Sequence, residues 1–411
     1  MQEYSAKTVK REELSNGLVL LGEVCPASQS SALCFFVQTG SRDEFPHESG
    51  ISHFLEHMVF KGSMKRSALE LTYALGSIGA QVNACTSEEY TLYYGAVIPE
   101  YFGAFQEILS EMMRPAIDGV EFETEKKVIL EEIALYQDRP QFWLYEQSCL
   151  DYFDGHPAGN SVLGTNSSVS ALRPDHMQSY FERRYVPSNM LCVAAGNFDW
   201  DAFLACAQAQ CAAWQPGSAS RDHSPWQAKH SQREFRRKGI KQAHLLLLTP
   251  GACAQEQERH ALRVLAAVIG DSVGSKFYWS LIDRGLAESA GCEHDDRDRI
   301  GVFSAFASTA PDKLELVRRE LKSILSKPLD FSESELEQAK AKLAARMVLG
   351  GELPMGRLSS LGMSWLYRRE IHNLRQSLET LRGVSKADIA AAVEKHGFNQ
   401  WGEYVLLPGE A

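Results

Sequence analysis

Two histidines and a glutamate within residues 50–62 have the types and spacing of a metal site. His53 and His57 are four residues apart, so a helix would place both imidazoles on one side, and Glu56 projects toward that side too. Two imidazoles and a carboxylate are the minimum for holding a zinc ion that activates water. The apolar residues of the stretch recur at the spacing of a half-buried helix: Ile51, Phe54, Leu55, Met58 and Val59. The sequence therefore predicts a helix here, ended by Gly62.

The five residues from His53 to His57 also fit a plainer interpretation. They would then be two surface histidines beside a solvated glutamate, and a chance match to this pattern in a chain with 12 histidines has odds of roughly a few per cent. Because the motif is short, the surrounding sequence must decide between the two interpretations.

A second helix, predicted over residues 119–137, carries candidate carboxylates. Glu125 and Glu132 are seven residues apart, or two helical turns, so they share a face. Glu131 lies about 100° around the helix from Glu132. If this helix supplies a metal ligand with a second carboxylate behind it, the pair is Glu132 and Glu125. A solvated glutamate face would give the same pattern.

Composition limits the class of protein. The content of 44% hydrophobic and 23% charged residues is ordinary for a soluble globular protein, and no apolar run is long enough to span a membrane. The net charge of −11 argues against nucleic acid as a partner. The N-terminus has no apolar signal core, and the nine scattered cysteines include no Cys-x-x-Cys pair. These features predict a cytoplasmic protein with reduced thiols.

The order of predicted elements indicates an internal duplication. Residues 216–236 are polar and without periodicity, which predicts a linker between a half at 1–215 and a half at 237–411. Each half gives a strand, helices, a pair of strands, a long helix, and a final helix and strand. Only the first half contains His-x-x-Glu-His. We expect an α+β fold in which the first half carries the metal and the second is a homologous half without one.

Residues 53–63 resemble the signature of the inverzincin peptidases, the group of pitrilysin and the mitochondrial processing peptidases. The resemblance extends to residues 79–94, to the glutamate helix at 125–133 and to residues 156–165 and 185–196, and more loosely beyond residue 240. It covers nearly the whole chain. It implies two α/β halves, each an antiparallel-rich sheet with helices packed on it, that form half of a clam-like chamber closed by a second chain.

The resemblance also assigns roles to individual residues. His53, His57 and Glu132 would be ligands of Zn²⁺, and Glu125 would support a ligand. Glu56 would be the general base that takes a proton from the metal's water, which a ligating carboxylate could not do as freely. A strand containing Asn83, Ala84 and Thr86 would bind a peptide substrate as an added β-strand.

The second half departs from the family pattern where active members carry an arginine and a tyrosine that reach the substrate. Leu281 or Ile282 stands in place of the arginine, and Glu288 in place of the tyrosine. We therefore expect the working enzyme to be a heterodimer with a second homologous chain. A homodimer in which Arg284 or Tyr278 substitutes is the rival arrangement. A structural subunit of the same fold, or a zinc-dependent scaffold without turnover, is the alternative to an enzyme.

Overall fold

The computed structural model describes residues 9–409. Its strands are β1 (Val9–Glu13), β2 (Val19–Val24), β3 (Ser31–Val37), β4 (Gln81–Thr86), β5 (Thr91–Val97), β6 (Met190–Gly196), β7 (Gln232–Arg237), β8 (Ala243–Pro250), β9 (Ser289–Arg297), β10 (Ile300–Thr309) and β11 (Gly402–Pro408). Its α-helices are α1 (Ile51–Val59), α2 (Ala68–Ser77), α3 (Phe102–Met112), α4 (Gly119–Gln137), α5 (Pro140–Tyr152), α6 (Asn166–Ala171), α7 (Pro174–Arg184), α8 (Trp200–Cys211), α9 (Arg259–Gly270), α10 (Leu314–Leu325), α11 (Glu333–Glu352), α12 (Pro354–Arg368), α13 (Leu374–Gly383) and α14 (Lys386–His396). Within residues 9–409, no helix is long and apolar enough to cross a membrane.

Two sheets with the same topology build the fold. The first has the strand order β1-β2-β6-β3-β5-β4 and the second the order β7-β11-β8-β10-β9. Without β1 the orders correspond strand for strand, and the directions match: β2 is parallel to β6 as β7 is to β11, and the other pairs are antiparallel. The predicted α+β class with two sheet-and-helix halves is confirmed, and the matching topology is what an internal duplication leaves.

The chain divides into two compact units that differ from the halves predicted from the sequence. The first unit comprises the chain up to Ala134, with Asn160–Asp222 and Leu349–Asn373. The second comprises Leu135–Gly159, His223–Val348 and the chain from Leu374 onward. Each unit thus includes a helix from the other half of the sequence: α12 packs on β2, β3 and β6 in the first, and α5 packs on β8 and β11 in the second.

The segment predicted as a linker, residues 216–236, is mostly exposed, but contacts to the rest of the chain hold it at both ends. The Arg221 side chain is 3% exposed and donates to both carboxylate oxygens of Asp43 at 2.8 and 3.0 Å. At its other end the segment enters β7, which pairs in parallel with β11. The linker was predicted from Pro, Gly and Ser content, which indicates only the local backbone preference. Contacts with residues far away in the sequence, such as those of Arg221 and β7, do not show in such a pattern.

The metal-candidate helix α1 lies in the first unit with its apolar side buried. Its five apolar residues are at most 1% exposed, as the periodicity predicts. The Phe54 ring stacks on Phe122 of α4 with centroids 4.4 Å apart, which fixes the spacing between the two helices. The helix ends at Val59, before the predicted end at Gly62, because the chain turns at Phe60 and Gly62 takes a positive φ of 122° in the following loop.

Candidate metal centre

Helices α1 and α4 bring together two imidazoles and one carboxylate. One ligand atom from each of His53, His57 and Glu132 lies within 4.8 Å of the other two. The two histidine rings lie edge to face, with centroids 4.7 Å apart. Within residues 9–409, this is the one group of three such residues that is close enough to hold a metal ion.

The three ligand atoms converge without hydrogen-bonding to one another. Glu132 Oε2 lies 3.8 Å from His53 Nε2 and 3.5 Å from His57 Nε2. Both distances exceed the roughly 2.7–3.2 Å of an N–H···O hydrogen bond. Atoms with lone pairs that face a common point at such spacing suit a cation between them, and nitrogen and oxygen donors are those that zinc accepts. The donor set therefore fits zinc.

The orientation of His57 is set by a carboxylate and a lysine behind it. Glu125 Oε1 lies 2.8 Å from His57 Nδ1 and, as an acceptor, fixes the proton on that nitrogen, which leaves the Nε2 lone pair facing Glu132. Glu125 Oε2 pairs with Lys61 Nζ at 2.6 Å. The sequence placed Glu125 in this supporting position but gave Lys61 no role, because only the folded loop after α1 carries Lys61 back to α4.

Burial and neighbouring charges shift the acid–base properties of this group. Burial, together with the adjacent His57, lowers the pKa of His53 to about 3, so the imidazole is neutral, as a ligand must be. Burial opposes ionisation of Glu125, but hydrogen bonds from Lys61 and His57 outweigh it and lower the pKa of that carboxyl group. For Glu56, burial raises the pKa, and hydrogen bonds from Thr86 and the field of His57 work in the opposite direction.

Glu56 lies on α1 between the two histidines but outside the ligand group. Its Oε2 accepts a hydrogen bond from the Thr86 hydroxyl on β4. This contact joins the carboxylate to the edge of the first sheet. Glu56 is therefore held beside the three convergent ligands while its carboxylate is engaged by a hydroxyl donor, which does not remove its capacity to accept a proton.

The strand predicted to bind substrate is the edge of the first sheet. β4 pairs with β5 on one side, and within residues 9–409 no strand pairs with its other side. Its residues alternate between exposed and half-buried, with Asn83 exposed and Ala84 and Thr86 half-buried. The Asn83 side chain already accepts from the Ala84 backbone N–H at 2.9 Å. An edge of this kind can pair with an extended peptide.

The residues that stand in place of the family arginine and tyrosine, Leu281 or Ile282 and Glu288, lie in the second unit. The Leu281 side chain is fully buried in the apolar core of that unit. Glu288 accepts a hydrogen bond from the Gln242 side chain. Arg284, in contrast, is about half exposed and forms a loose ion pair with Glu320, with 3.9 Å between Nη1 and Oε2.

Family models match this chain in both halves of the sequence. The model described as insulinase (peptidase family M16) matches residues 20–166, and the model described as the peptidase M16 inactive domain matches residues 171–343. The chain belongs to peptidase family M16, and the resemblance seen in the sequence is confirmed.

Relatives that match more than nine-tenths of the chain agree with this assignment. A protein of Bacillus subtilis named as an uncharacterized zinc protease is 30% identical over 382 residues, which cover 92% of this chain and 93% of the relative. A protein of the same description from Rickettsia felis is 30% identical and covers 93% of both chains. The crystal structure of a protease from Helicobacter pylori superposes with a TM-score of 0.91 at 19% identity, covering 98% of this chain and 100% of that one, and shows the same fold.

Glu125→Gln is expected to weaken zinc binding by roughly 10–100-fold, the usual loss when a group that orients a histidine ligand is changed. Glutamine can still accept from His57 Nδ1, but it lacks the negative charge that strengthens the imidazole as a donor. Competition with a chromophoric chelator measures the affinity. Glu123→Gln is the matched control, because that carboxylate is on the same helix, 61% exposed and paired only with Lys126 among the residues described. Equal affinities for the two variants would contradict this role of Glu125.

Proposed function

We propose that this protein is a zinc-dependent endopeptidase that hydrolyses extended or unfolded peptides with Glu56 as the general base. The observation that carries the proposal is the convergence of His53, His57 and Glu132 beside a carboxylate that is not needed as a ligand. Membership of a peptidase family whose full-length relatives are named zinc proteases supports it.

His53, His57 and Glu132 would hold the zinc ion. When bound, zinc supplies a Lewis acid that acidifies water and polarises a carbonyl group. The Glu56 carboxylate takes a proton from the attacking water as the new C–O bond forms. It then gives this proton to the nitrogen of the departing amine, and the peptide C–N bond breaks. Thr86 donates to Glu56 Oε2 and keeps the carboxylate oriented through both transfers.

The edge strand β4 would select the conformation of the substrate. A peptide that pairs with β4 must be extended, because main-chain hydrogen bonds form along its whole length. Such bonds recognise extension rather than side chains, so we expect broad sequence tolerance and little activity on folded proteins. Ala84 and Thr86 would contact the added strand on one face and Asn83 on the other.

The proposed working form is a heterodimer in which a second homologous chain completes the site. Hydrolysis needs donors for the oxyanion that develops on the scissile carbonyl. Within this chain neither Leu281 nor Ile282 has a polar side chain, and the carboxylate of a glutamate such as Glu288 accepts hydrogen bonds but donates none. A partner chain with an arginine and a tyrosine at the equivalent positions would supply them.

The test is hydrolysis of an unstructured fluorogenic peptide by the zinc-loaded chain, alone and with the homologous chain added. We expect the lone chain to bind zinc and the mixture to be at least about 100-fold more active, since one oxyanion donor is worth roughly 10²–10³ in rate. Full activity of the lone chain, unchanged by the partner, would contradict the heterodimer. Loss of that activity in Arg284→Ala or Tyr278→Phe would then favour the homodimer.

A structural or scaffold subunit of the same fold is the competing function. A structural subunit has no need of zinc, and a scaffold that uses zinc would bind it without turnover. Zinc content combined with hydrolysis separates the three: zinc with turnover supports the peptidase, zinc without turnover in any chain combination supports the scaffold, and neither supports the structural subunit.

A further inference from the structure

Helix α1 begins without a side chain that can cap it. Its N-cap residue is Gly50, with a φ of 91°, in the left-handed region. A Cβ at this position would lie 2.7 Å from the Leu163 carbonyl oxygen and 2.9 Å from Val169 Cγ2, so a serine, threonine or aspartate cap does not fit. The first backbone N–H groups of a helix have no partner within it. Another part of the chain must supply the acceptors.

Glu44 supplies them from six residues before the N-cap Gly50. Its Oε2 accepts from the Gly50 N–H and its Oε1 from the Ser52 N–H, both at 2.8 Å. The residue is 5% exposed, so water does not compete for either oxygen. Burial raises the pKa of Glu44 to about 8, against the hydrogen bonds from Ser52 and Gly50 and the helix dipole, which favour the ionised form. Ser52 directly precedes His53, and both of the carboxylate's hydrogen bonds therefore fix the turn that carries the first proposed ligand.

The loop containing Glu44 is fixed on its other side to the β4–β5 hairpin. The Arg42 N–H donates to the Glu88 carbonyl at 2.8 Å, and the Arg42 guanidinium pairs with Glu89, with side chains 1% and 2% exposed. A Cβ on Gly40 would lie 2.1 Å from the Ser87 carbonyl oxygen, so the loop and the hairpin are in direct backbone contact. Residues 40–44 thus hold the hairpin and the start of α1 at once.

We propose that Glu44 is a positioning residue that fixes α1 against β4 and so sets where His53 and Glu56 stand. The proposal rests on the proposed zinc peptidase function but adds a residue that neither binds the metal nor touches the reacting atoms. The bonds from Glu44 fix one end of α1, and the Thr86–Glu56 bond crosses to β4 about one turn further along. Loss of the two hydrogen bonds to Glu44 would let the start of α1 shift relative to β4.

The test compares Glu44→Gln with Glu48→Gln in the full-length chain. Glutamine keeps the shape of the side chain, but its NH₂ group would face one of the two N–H donors. Glu48 is the matched control, because it is 3% exposed in the same loop but accepts from the Phe45 N–H and pairs with Arg183, not with the first N–H groups of α1. Both variants lose a buried carboxylate, but only the first changes the start of α1.

Two readouts distinguish positioning from general stability. In the metal-free protein, Glu44→Gln should speed amide hydrogen exchange in residues 51–59 by at least about 10-fold relative to Glu48→Gln. In the zinc-loaded protein, it should weaken zinc affinity roughly 10-fold, as loss of a group that orients a ligand does, and lower kcat with KM little changed. Glu44→Asp, which keeps the carboxyl group on a shorter stem, should recover part of the affinity.

Each outcome has a definite meaning. Equal exchange in residues 51–59 for the two variants would overturn the positioning role, whether or not the protein binds zinc. A wild-type chain that binds no zinc would overturn the proposed function instead, while the exchange comparison would still decide the role of Glu44. If Glu44→Gln does not fold, Glu44→Asp against Glu48→Asp gives the same comparison, and equal exchange would again count against the proposal.

Discussion

Glu56→Gln is expected to retain one zinc ion per chain and to lose peptidase activity by roughly 10²–10⁴-fold, the usual contribution of a general base. The glutamine side chain has the same shape and can still accept from Thr86, so the strand contact seen for Oε2 is preserved. Its amide cannot take a proton from water. The three proposed ligands are unchanged, so zinc content should match that of the wild type.

The measurement is kcat on an unstructured peptide, beside metal analysis of the same samples and with the homologous chain present. Glu131→Gln is the control, because that carboxylate is exposed on α4 and lies outside the group of His53, His57 and Glu132. A Glu56→Gln protein that loses its zinc would make Glu56 a ligand. A variant with full activity would mean that another group takes the proton.

Glu132→Gln is expected to abolish tight zinc binding and, with it, activity. The carboxylate supplies the one negative charge in the ligand group, and the neutral amide that replaces it is a weak donor to zinc. The loss should exceed the roughly 10–100-fold effect of changing a group behind a ligand. Isothermal titration calorimetry of the metal-free protein with zinc measures the affinity.

The adjacent Glu131 separates this effect from a general loss of acidic charge. It is one residue away but about 100° around the helix, and it is exposed where Glu132 faces the histidines. Glu131→Gln should therefore bind zinc as the wild type does. Metal analysis that finds Glu131→Gln empty and Glu132→Gln loaded would reverse the assignment made from helix geometry.

The helices of the candidate centre could be predicted because their residues obey local rules. Apolar spacing gave α1, and the range predicted for α4, residues 119–137, is the one observed. The shared face of Glu125 and Glu132 followed from helix periodicity alone, and the structure turns both toward His57. The spacing of apolar residues within one helix predicts its buried side, and this does not require knowledge of which distant residues pack against it.

The features that sequence reasoning missed depend on partners far apart in the chain. Lys61 reaches Glu125 across 64 positions, and Arg221 reaches Asp43 across 178. The packing of α5 and α12 on the sheet of the other half of the sequence is equally invisible to local patterns, because it depends on contacts between distant residues. The contact between Glu44 and the start of α1, in contrast, spans few residues. A signal in the sequence could have suggested it: a carboxylate a few residues before a helix that has glycine at its N-cap.

X-ray absorption spectroscopy of the zinc-loaded chain tests the proposed metal centre most directly. Ligation by His53, His57 and Glu132 predicts one equivalent of zinc, imidazole scattering, and nitrogen or oxygen neighbours alone at about 2.0–2.2 Å. The chain also contains nine cysteines, and a thiolate ligand would add sulfur at about 2.3 Å. The expected result is a spectrum with nitrogen and oxygen neighbours only for the wild-type chain. Because Glu132→Gln should not bind zinc tightly, this spectrum should be lost in that variant. Sulfur scattering, or zinc that stays bound in Glu132→Gln with an unchanged spectrum, would contradict the proposed centre.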